Sequence, residues 1–227
     1  TGINQIKTGE ILNQKAKTFD HKWQGDAEAM TLSTNKSIII AFEGKNRLWR
    51  YQNGPTPFQN VGEDIPMPKN LDGLSENHGI EAIAEYKTNY LIIMGEGNEK
   101  KKDPIPGWYQ DDDHQWQQIS LKFDEDYTVS DLTSLNTDNL LLVERKLGWF
   151  GWRIRFSLLS TKQLKPSATL DRNIISVLSL PFPTDNFEAI AAYPKTNNEF
   201  IIYLMSDDNR NPLQRTLFLQ FSLNFVH

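Results

Sequence analysis

The chain repeats one pattern of apolar and polar positions four times, at intervals of roughly fifty residues. Each copy opens with a short apolar segment that carries an acidic residue, and a polar turn follows it. A continuous apolar run comes next and ends in a second acid, and an amphipathic strand follows after a loop. The acids of the opening segments are Glu28, Glu81, Asp131 and Glu188, and those that end the runs are Glu43, Glu96, Glu144 and Asp207.

Short strands separated by turns account for this pattern. The runs are rich in Ile, Leu, Val and aromatic residues, which favour pleated surfaces, whereas the connections hold Asn, Asp, Gly, Lys and Pro. A continuous apolar run such as 37–42 is typical of a strand that is buried on both faces. Residues 161–174 come nearest to a helical pattern, and Pro166 opposes a helix there. A unit of about 40 to 50 residues with four strands is typical of a β-propeller blade.

We therefore predict an all-β protein, a β-propeller that forms a single domain over residues 1–227. Four blades are recognisable, and they cover approximately residues 20–60, 75–123, 126–160 and 184–225. Equivalent positions of successive blades fall at one height around a common axis. The repeated acids are therefore expected to meet near one mouth of the central channel.

Composition narrows the possible classes of function. Hydrophobic residues make up 38% and charged residues 23% of the chain, which is typical of a globular protein rather than a disordered one. A net charge of −5 argues against a nucleic-acid partner. No apolar run approaches the ~18 residues of a membrane-spanning helix. The lack of cysteine excludes disulfides and thiolate metal sites.

Several segments resemble the phytase-like bacterial proteins, whose domain is described as having an esterase-like activity of phytase. The strongest matches are DNFEAIA at 185–191 and SDDNRNPLQRTL at 206–217, supported by DAEA at 26–29, GIEAIA at 79–84 and LVER at 142–145. The resemblance covers nearly the whole chain. It implies an exported protein, periplasmic or secreted, with phosphoesterase activity and a small phosphorylated or anionic ligand.

The same resemblance bears on the size of the ring. Members of that family usually begin one blade earlier, and residues 1–3 resemble the end of such a blade. This implies a five- or six-bladed ring of which the present chain lacks the first blade, and a closed four-bladed ring is the less favoured alternative. An open ring exposes sheet edges and one blade face. Those surfaces would then be covered in one of three ways: by a second copy in a homodimer, by the first twenty residues, or by a separately cleaved N-terminal piece.

The repeated acids allow two hypotheses. Crowded carboxylates repel one another and raise each other's pKa, so cations or arginines are needed to neutralise them. Oxygen ligands suit Ca²⁺ or Mg²⁺, whereas zinc is disfavoured by the lack of cysteine and by four scattered histidines, and no organic cofactor is implied. The first hypothesis is a metal-dependent phosphoesterase. The second is a non-catalytic binding or interaction module of the cell envelope, in which the acids bind backbone amides or arginines.

Under the first hypothesis the charged residues divide into three groups. The candidate catalytic residues are Glu28, Glu81, Glu188 and Asp207, the candidate metal ligands are Glu43, Glu96, Asp131, Glu144 and Asp208, and the candidate phosphate-binding residues are Arg47, Arg153 and Arg215. The segment 206–209 also fits a turn that its own Asp and Asn side chains stabilise. Separately, the aromatic, glycine-rich stretch 147–152 fits a hairpin tip that caps the channel or contacts a partner.

Overall fold

The computed structural model describes residues 9–52, 60–72, 74, 79–97 and 103–225. Four sheets stand in a ring, as a four-bladed β-propeller arrangement, so the predicted all-β class and propeller are confirmed. The described part of the chain contains two short 3-10 helices, Lys22–Gln24 and Thr161–Gln163, and no α-helix. Residues 1–3, which resemble the end of a further blade, lie outside the described residues.

Each blade is an antiparallel sheet whose strands follow one another along the chain. Blade 1 holds β1 (Ala27–Leu32), β2 (Ile38–Phe42), β3 (Arg47–Tyr51) and β4 (Glu63–Ile65). Blade 2 holds β5 (Ile80–Lys87), β6 (Tyr90–Gly95), β7 (Ile105–Gln110) and β8 (Trp116–Leu121). Blade 3 holds β9 (Thr128–Ser134), β10 (Asn139–Gly148), β11 (Gly151–Ser160) and β13 (Asn173–Leu178), and blade 4 holds β14 (Phe187–Pro194), β15 (Glu199–Ser206) and β16 (Phe218–Asn224).

The long connection between blades 3 and 4 contributes strands to two sheets. Its first strand, β12 (Thr169–Leu170), pairs in parallel with β8 at the outer edge of blade 2. Its second strand, β13, pairs with β11 and becomes the outer strand of blade 3, beyond the stretch 126–160. The connection thus joins blades 2 and 3 along their outer edges.

Apolar residues on both faces of the second strands are buried, and most of them build the cores between blades. In β2, Ile39 and Ala41 pack toward blade 2, whereas Ile40 and Phe42 belong to a cluster on the opposite face. In β10, Leu140 and Leu142 contribute to the core shared with blade 2, and Leu141 and Val143 to the core shared with blade 4. Burial on both sides explains why these runs show no alternation with polar residues.

The two terminal blades keep part of their apolar faces exposed. Ile11 and Phe19, which precede β1, cover the outer part of the blade 1 face. Met30 on β1 stays exposed, as do Met205 and Phe218 on blade 4. A cleft of about 680 Å³ separates these two faces.

A buried ion-pair network holds blade 3 to the connections on either side of it. Glu144 is fully buried and accepts hydrogen bonds from Arg155 Nε and Nη2, both at 2.9 Å, and from Arg172. Arg155 also donates to Asp124 Oδ2 at 2.7 Å, and Arg172 donates to the Lys122 carbonyl. Strands β10 and β11 are thereby attached to the segment that leaves blade 2 and to the segment that leads into β13.

Replacing Glu144 with Gln is expected to destabilise the fold by about 3–5 kcal/mol, because two buried guanidinium groups lose their shared counter-charge. Urea denaturation measures the loss. The control is Asp138→Asn, which removes the exposed pair with Lys162 (2.9 Å) and is expected to cost less than about 1 kcal/mol. Equal unfolding midpoints for Glu144→Gln and the control would show that the network contributes little.

Candidate functional site

β-Bulges place three of the repeated glutamates at equivalent points of the inner strands. The pairing of β1 with β2 skips Glu28, that of β5 with β6 skips Glu81, and that of β14 with β15 skips Glu188. A bulge adds one unpaired residue to a strand and redirects its side chain. Around the ring the inner strands follow one another in the order β1, β5, β9 and β14, since β1 contacts β5, β5 contacts β9 and β9 contacts β14. The bulged glutamates therefore approach the axis at one height.

Blade 3 has a serine at this position. Val129 pairs with Glu144 and Asp131 pairs with Val143, so the residue left in the bulge is Ser130. Asp131 lies one position further along and is buried. The sequence repeat matched Asp131 to the glutamates because both are acidic, but the register makes Ser130 the structural equivalent.

Asp131 connects blade 3 to blade 4. Its Oδ2 accepts a hydrogen bond from the backbone N–H of Ile190 at 2.8 Å, and its Oδ1 accepts one from Leu132 at 2.7 Å. Burial raises the pKa of this carboxyl well above its ordinary value, and the two amide bonds only partly oppose that effect. Its contacts are those of the structural alternative, an acid that binds backbone amides between blades.

Other acids join the bulged glutamates at one end of the ring. Asp26 precedes β1 and Glu43 follows β2. One carboxylate oxygen of each lies within 4.8 Å of a carboxylate oxygen of Glu28. Glu96 follows β6 and interacts electrostatically with Glu81. We call the set the mouth cluster: Asp26, Glu28, Glu43, Glu81, Glu96 and Glu188.

Arg145 extends from β10 into the mouth cluster. Its Nη1 donates to Glu188 Oε1 at 2.9 Å, and its Nη2 lies 3.5 Å from Glu96 Oε1. Asn186 Nδ2 supplies a second donor to Glu188 Oε1, at 2.5 Å. Within the described ranges Arg145 is the only arginine that forms an ion pair with the cluster. Lys22 Nζ lies 3.9 Å from Asp26 Oδ1 and is itself exposed. Within the described ranges, Arg145 is therefore the partly buried cation that faces the bulged glutamates.

Burial, together with the neighbouring charge, raises the pKa of two of these acids. Burial, followed by repulsion from Asp26 and Glu43, raises the pKa of Glu28 to about 7. Burial, followed by repulsion from Glu96 and Glu28, raises the pKa of Glu81 to about 8. Among the described residues, no hydrogen-bond donor reaches either carboxyl. Within the described ranges, these two acids therefore lie close to like charge without a hydrogen bond to offset it. Lys22 opposes the pKa shift of Glu28 and Arg145 that of Glu81, each to a smaller extent.

Neutral oxygen atoms accompany the carboxylates. Ser130 Oγ and Asn186 Oδ1 belong to almost fully buried residues, and neither atom has a hydrogen-bond partner among the described residues. Asn46 Oδ1 is also buried and unpaired in that part of the chain. It lies beside Glu43 at Gly79, where an added Cβ would meet Glu43 Cγ at 3.0 Å and Asn46 Oδ1 at 3.4 Å. The site thus offers oxygen atoms of three kinds, which is the ligand chemistry of hard cations.

Two aspartates proposed from the sequence lie in the β15–β16 connection. Asp207 is exposed and accepts a hydrogen bond from the Asn209 N–H at 2.9 Å, and its charge acts on Glu188 from outside the cluster. Asp208 accepts from the Arg210 N–H at 2.8 Å and from Thr216 Oγ1 at 3.0 Å. The local geometry is that of a turn stabilised by Asp side chains. The structure does not bring Asp208 or Glu144 into the cluster.

The three arginines expected to bind phosphate form no ion pair with the cluster within the described ranges. The Arg47 guanidinium lies 4.3 Å from the Phe42 ring centre and donates to the backbone carbonyls of Gln24 and Lys45. Arg153 is exposed on β11, and Arg215 lies 3.6 Å from Asp185. Arg145, which the sequence analysis did not select, takes the central position. The sequence signal for Arg145 is its position directly after Glu144 in β10. Successive side chains of a strand face opposite sides, so Arg145 points away from the side that Glu144 occupies.

Comparison with known proteins identifies the family. The family model described as phytase-like, esterase-like activity of phytase, matches residues 1–210. The chain belongs to the phytase-like family. No curated protein matches the chain at a significant level. Within the described residues of this phytase-like protein, no helix has the length and apolar character needed to cross a membrane.

Replacing Glu81 with Gln is expected to stabilise the protein at pH 9 and to have little effect near pH 4. The pKa of Glu81 is about 8 in the folded chain against an ordinary 4.5, so the folded state holds a proton that the unfolded state has already released. Stability contributed by this proton is lost as the pH rises from 4.5 through about 8. Glutamine imitates the protonated form, so the melting temperature at pH 9 should rise by about 2–4 °C per kcal/mol of repulsion removed.

The control for this measurement is Glu125→Gln, which removes the same charge from an exposed site outside the cluster. It should change the melting temperature little at either pH. A Glu81→Gln shift of the same size at pH 4 and pH 9 would contradict the proposed crowding.

Proposed function

We propose that this phytase-like protein hydrolyses phosphoesters with the help of a divalent cation, Ca²⁺ or Mg²⁺, at the mouth cluster. The observation that supports the proposal most directly is the convergence of six carboxylates around one arginine, with Glu28 and Glu81 lacking a hydrogen-bond donor among the described residues. Family membership adds the esterase-like description. A small phosphorylated ligand is the proposed substrate class.

The donor set fits such a cation. Asp26, Glu28 and Glu43 would hold the ion, because their carboxylate oxygens approach one another within 4.8 Å. The ligands are oxygen atoms, and no histidine joins them among the described residues, which favours Ca²⁺ or Mg²⁺ over zinc. When bound, the cation would neutralise phosphate charge and lower the pKa of a water molecule.

The protein residues around this position have complementary roles in the proposal. Arg145 would bind a phosphate oxygen, since its guanidinium group is already oriented by Glu188 and Glu96. Glu81 would donate a proton to the leaving alcohol, as a carboxyl placed between Glu28, Glu96 and Arg145. Asp131 and Glu144 have structural roles in this scheme, through backbone amides and arginines respectively. We further infer from the family alone that the protein is exported, to the periplasm or the medium.

A non-catalytic function is the second candidate. It is favoured by the fact that Glu96 and Glu188 share Arg145 and so are partly neutralised within the protein. In that case the mouth cluster would bind a cation or a cationic partner without catalysing hydrolysis. Measurements of binding and of turnover separate the two candidates.

Calcium is expected to raise the melting temperature, by the equivalent of about 2.7 kcal/mol at one hundred times its dissociation constant. Glu28→Gln and Glu43→Gln should each reduce this shift, because each removes a proposed ligand, whereas the matched exposed change Asp138→Asn should leave it intact. Thermal melts with and without Ca²⁺ or Mg²⁺ provide the measurement. The absence of any cation-dependent shift in the wild-type protein would exclude the metal site.

Arg145→Gln is expected to lower turnover of an aryl phosphate by a factor of about 10²–10³ while the calcium-dependent shift persists or grows. The substitution removes a group that donates hydrogen bonds to the phosphate. It also removes a positive charge that competes with calcium for the acids. Steady-state hydrolysis by the wild-type protein is measured alongside the melts. A wild-type protein that binds calcium but shows no turnover of any phosphoester would support the non-catalytic candidate.

A further inference from the structure

The hairpin of β10 and β11 extends beyond the mouth cluster as a preformed arm. The two strands pair without interruption from Asn139–Ser160 to Gly148–Gly151, which leaves Trp149 and Phe150 as the two-residue turn. Gly151 has φ +111°, a conformation that favours glycine and permits the tight reversal. The apex is therefore fixed by the backbone rather than formed by a loose loop.

Large apolar side chains at this apex face solvent. Trp149 is 100% exposed, Phe150 87% and Leu147 64%. Leu180 and Leu213, from two other connections, are also exposed and line the same concave surfaces beside the hairpin. Apolar patches of this kind mark protein–protein or membrane interaction sites.

The side chains of the arm are arranged in layers below the apex. Under the turn lies the glycine pair, then Leu147 opposite Trp152, and then Lys146 directly opposite Arg153. Like charges placed opposite each other on neighbouring strands are destabilising. Lys146 Nζ lies 3.7 Å from Asp126 and donates to the Glu125 carbonyl at 2.5 Å, whereas Arg153 is exposed. Arg153 is thus the cation that presents positive charge to an external anion.

A phospholipid bilayer surface matches this layering. Two to three strand residues separate Arg153 from the apex, a distance of about 7–10 Å. Interfacial segments bury their apolar side by about 5–10 Å, which would put Arg153 at the level of the lipid phosphates. A narrow, two-residue aromatic apex suits a deformable lipid phase, since a protein partner would have to offer a matching recess.

We propose that the β10–β11 hairpin docks the protein on a phospholipid surface, with Trp149 and Phe150 in the headgroup region and Arg153 at the phosphates. The proposal concerns binding alone and does not depend on hydrolysis.

Flotation with vesicles tests the proposal directly. The wild-type protein is expected to float with vesicles of phosphatidylcholine and phosphatidylglycerol, and the Trp149→Ser, Phe150→Ser double variant should partition at least about tenfold less. Trp23→Ser is the matched control, because Trp23 is 50% exposed and lies on the short helix before β1. It should float like the wild type, and the melting temperatures of both variants should match the wild-type value.

Two further measurements distinguish lipid binding from other causes. Trp149→Phe should still float but lose most of the lipid-induced blue shift in tryptophan fluorescence, whereas Trp23→Phe should keep it. Arg153→Glu should weaken flotation with phosphatidylglycerol more than with phosphatidylcholine alone. The proposal is overturned if the wild type does not float or if the double variant floats equally well. It is also overturned if size-exclusion chromatography shows that the tip mediates self-association of the wild type and the protein does not bind vesicles.

Discussion

Repulsion among carboxylates held at one end of the ring is the constraint on which the site depends. Glu28, Glu81 and Glu188 reach this end because each occupies a bulge in an inner strand, and Asp26, Glu43 and Glu96 arrive from the strand ends beside them. Arg145 offsets part of the charge. Burial and the repulsion that remains raise the pKa of Glu28 to about 7 and that of Glu81 to about 8.

The blades supply the stability that holds these acids in place. Apolar cores between successive blades are built from one face of β2 and from both faces of β6 and β10. Polar links add to them at blade 3, where Asp131 binds the Ile190 amide and Glu144 joins Arg155 and Arg172. Acids of similar sequence context therefore differ in role, since some hold blades together and others gather at the mouth.

Much of the fold could be predicted from the sequence, because a strand buried on both faces leaves a continuous apolar run that is easily recognised. The convergence of acids followed from the repeat. The equivalence of Ser130 to the glutamates did not, since a bulge shifts the register by one residue and only pairing with Val143 and Glu144 reveals it. Arg145 was missed for a related reason: the side on which a strand residue projects depends on neighbouring blades.

Titration of the individual glutamates tests the central claim most directly. Carboxyl carbon shifts of a glutamate-labelled sample, followed by NMR against pH, should show Glu28 and Glu81 titrating near 7 and 8, and Glu28→Gln should lower the midpoint of Glu81. Such coupling would show that the acids of successive blades share one mouth. Midpoints near 4.5 for both residues, unchanged by the substitution, would contradict the account.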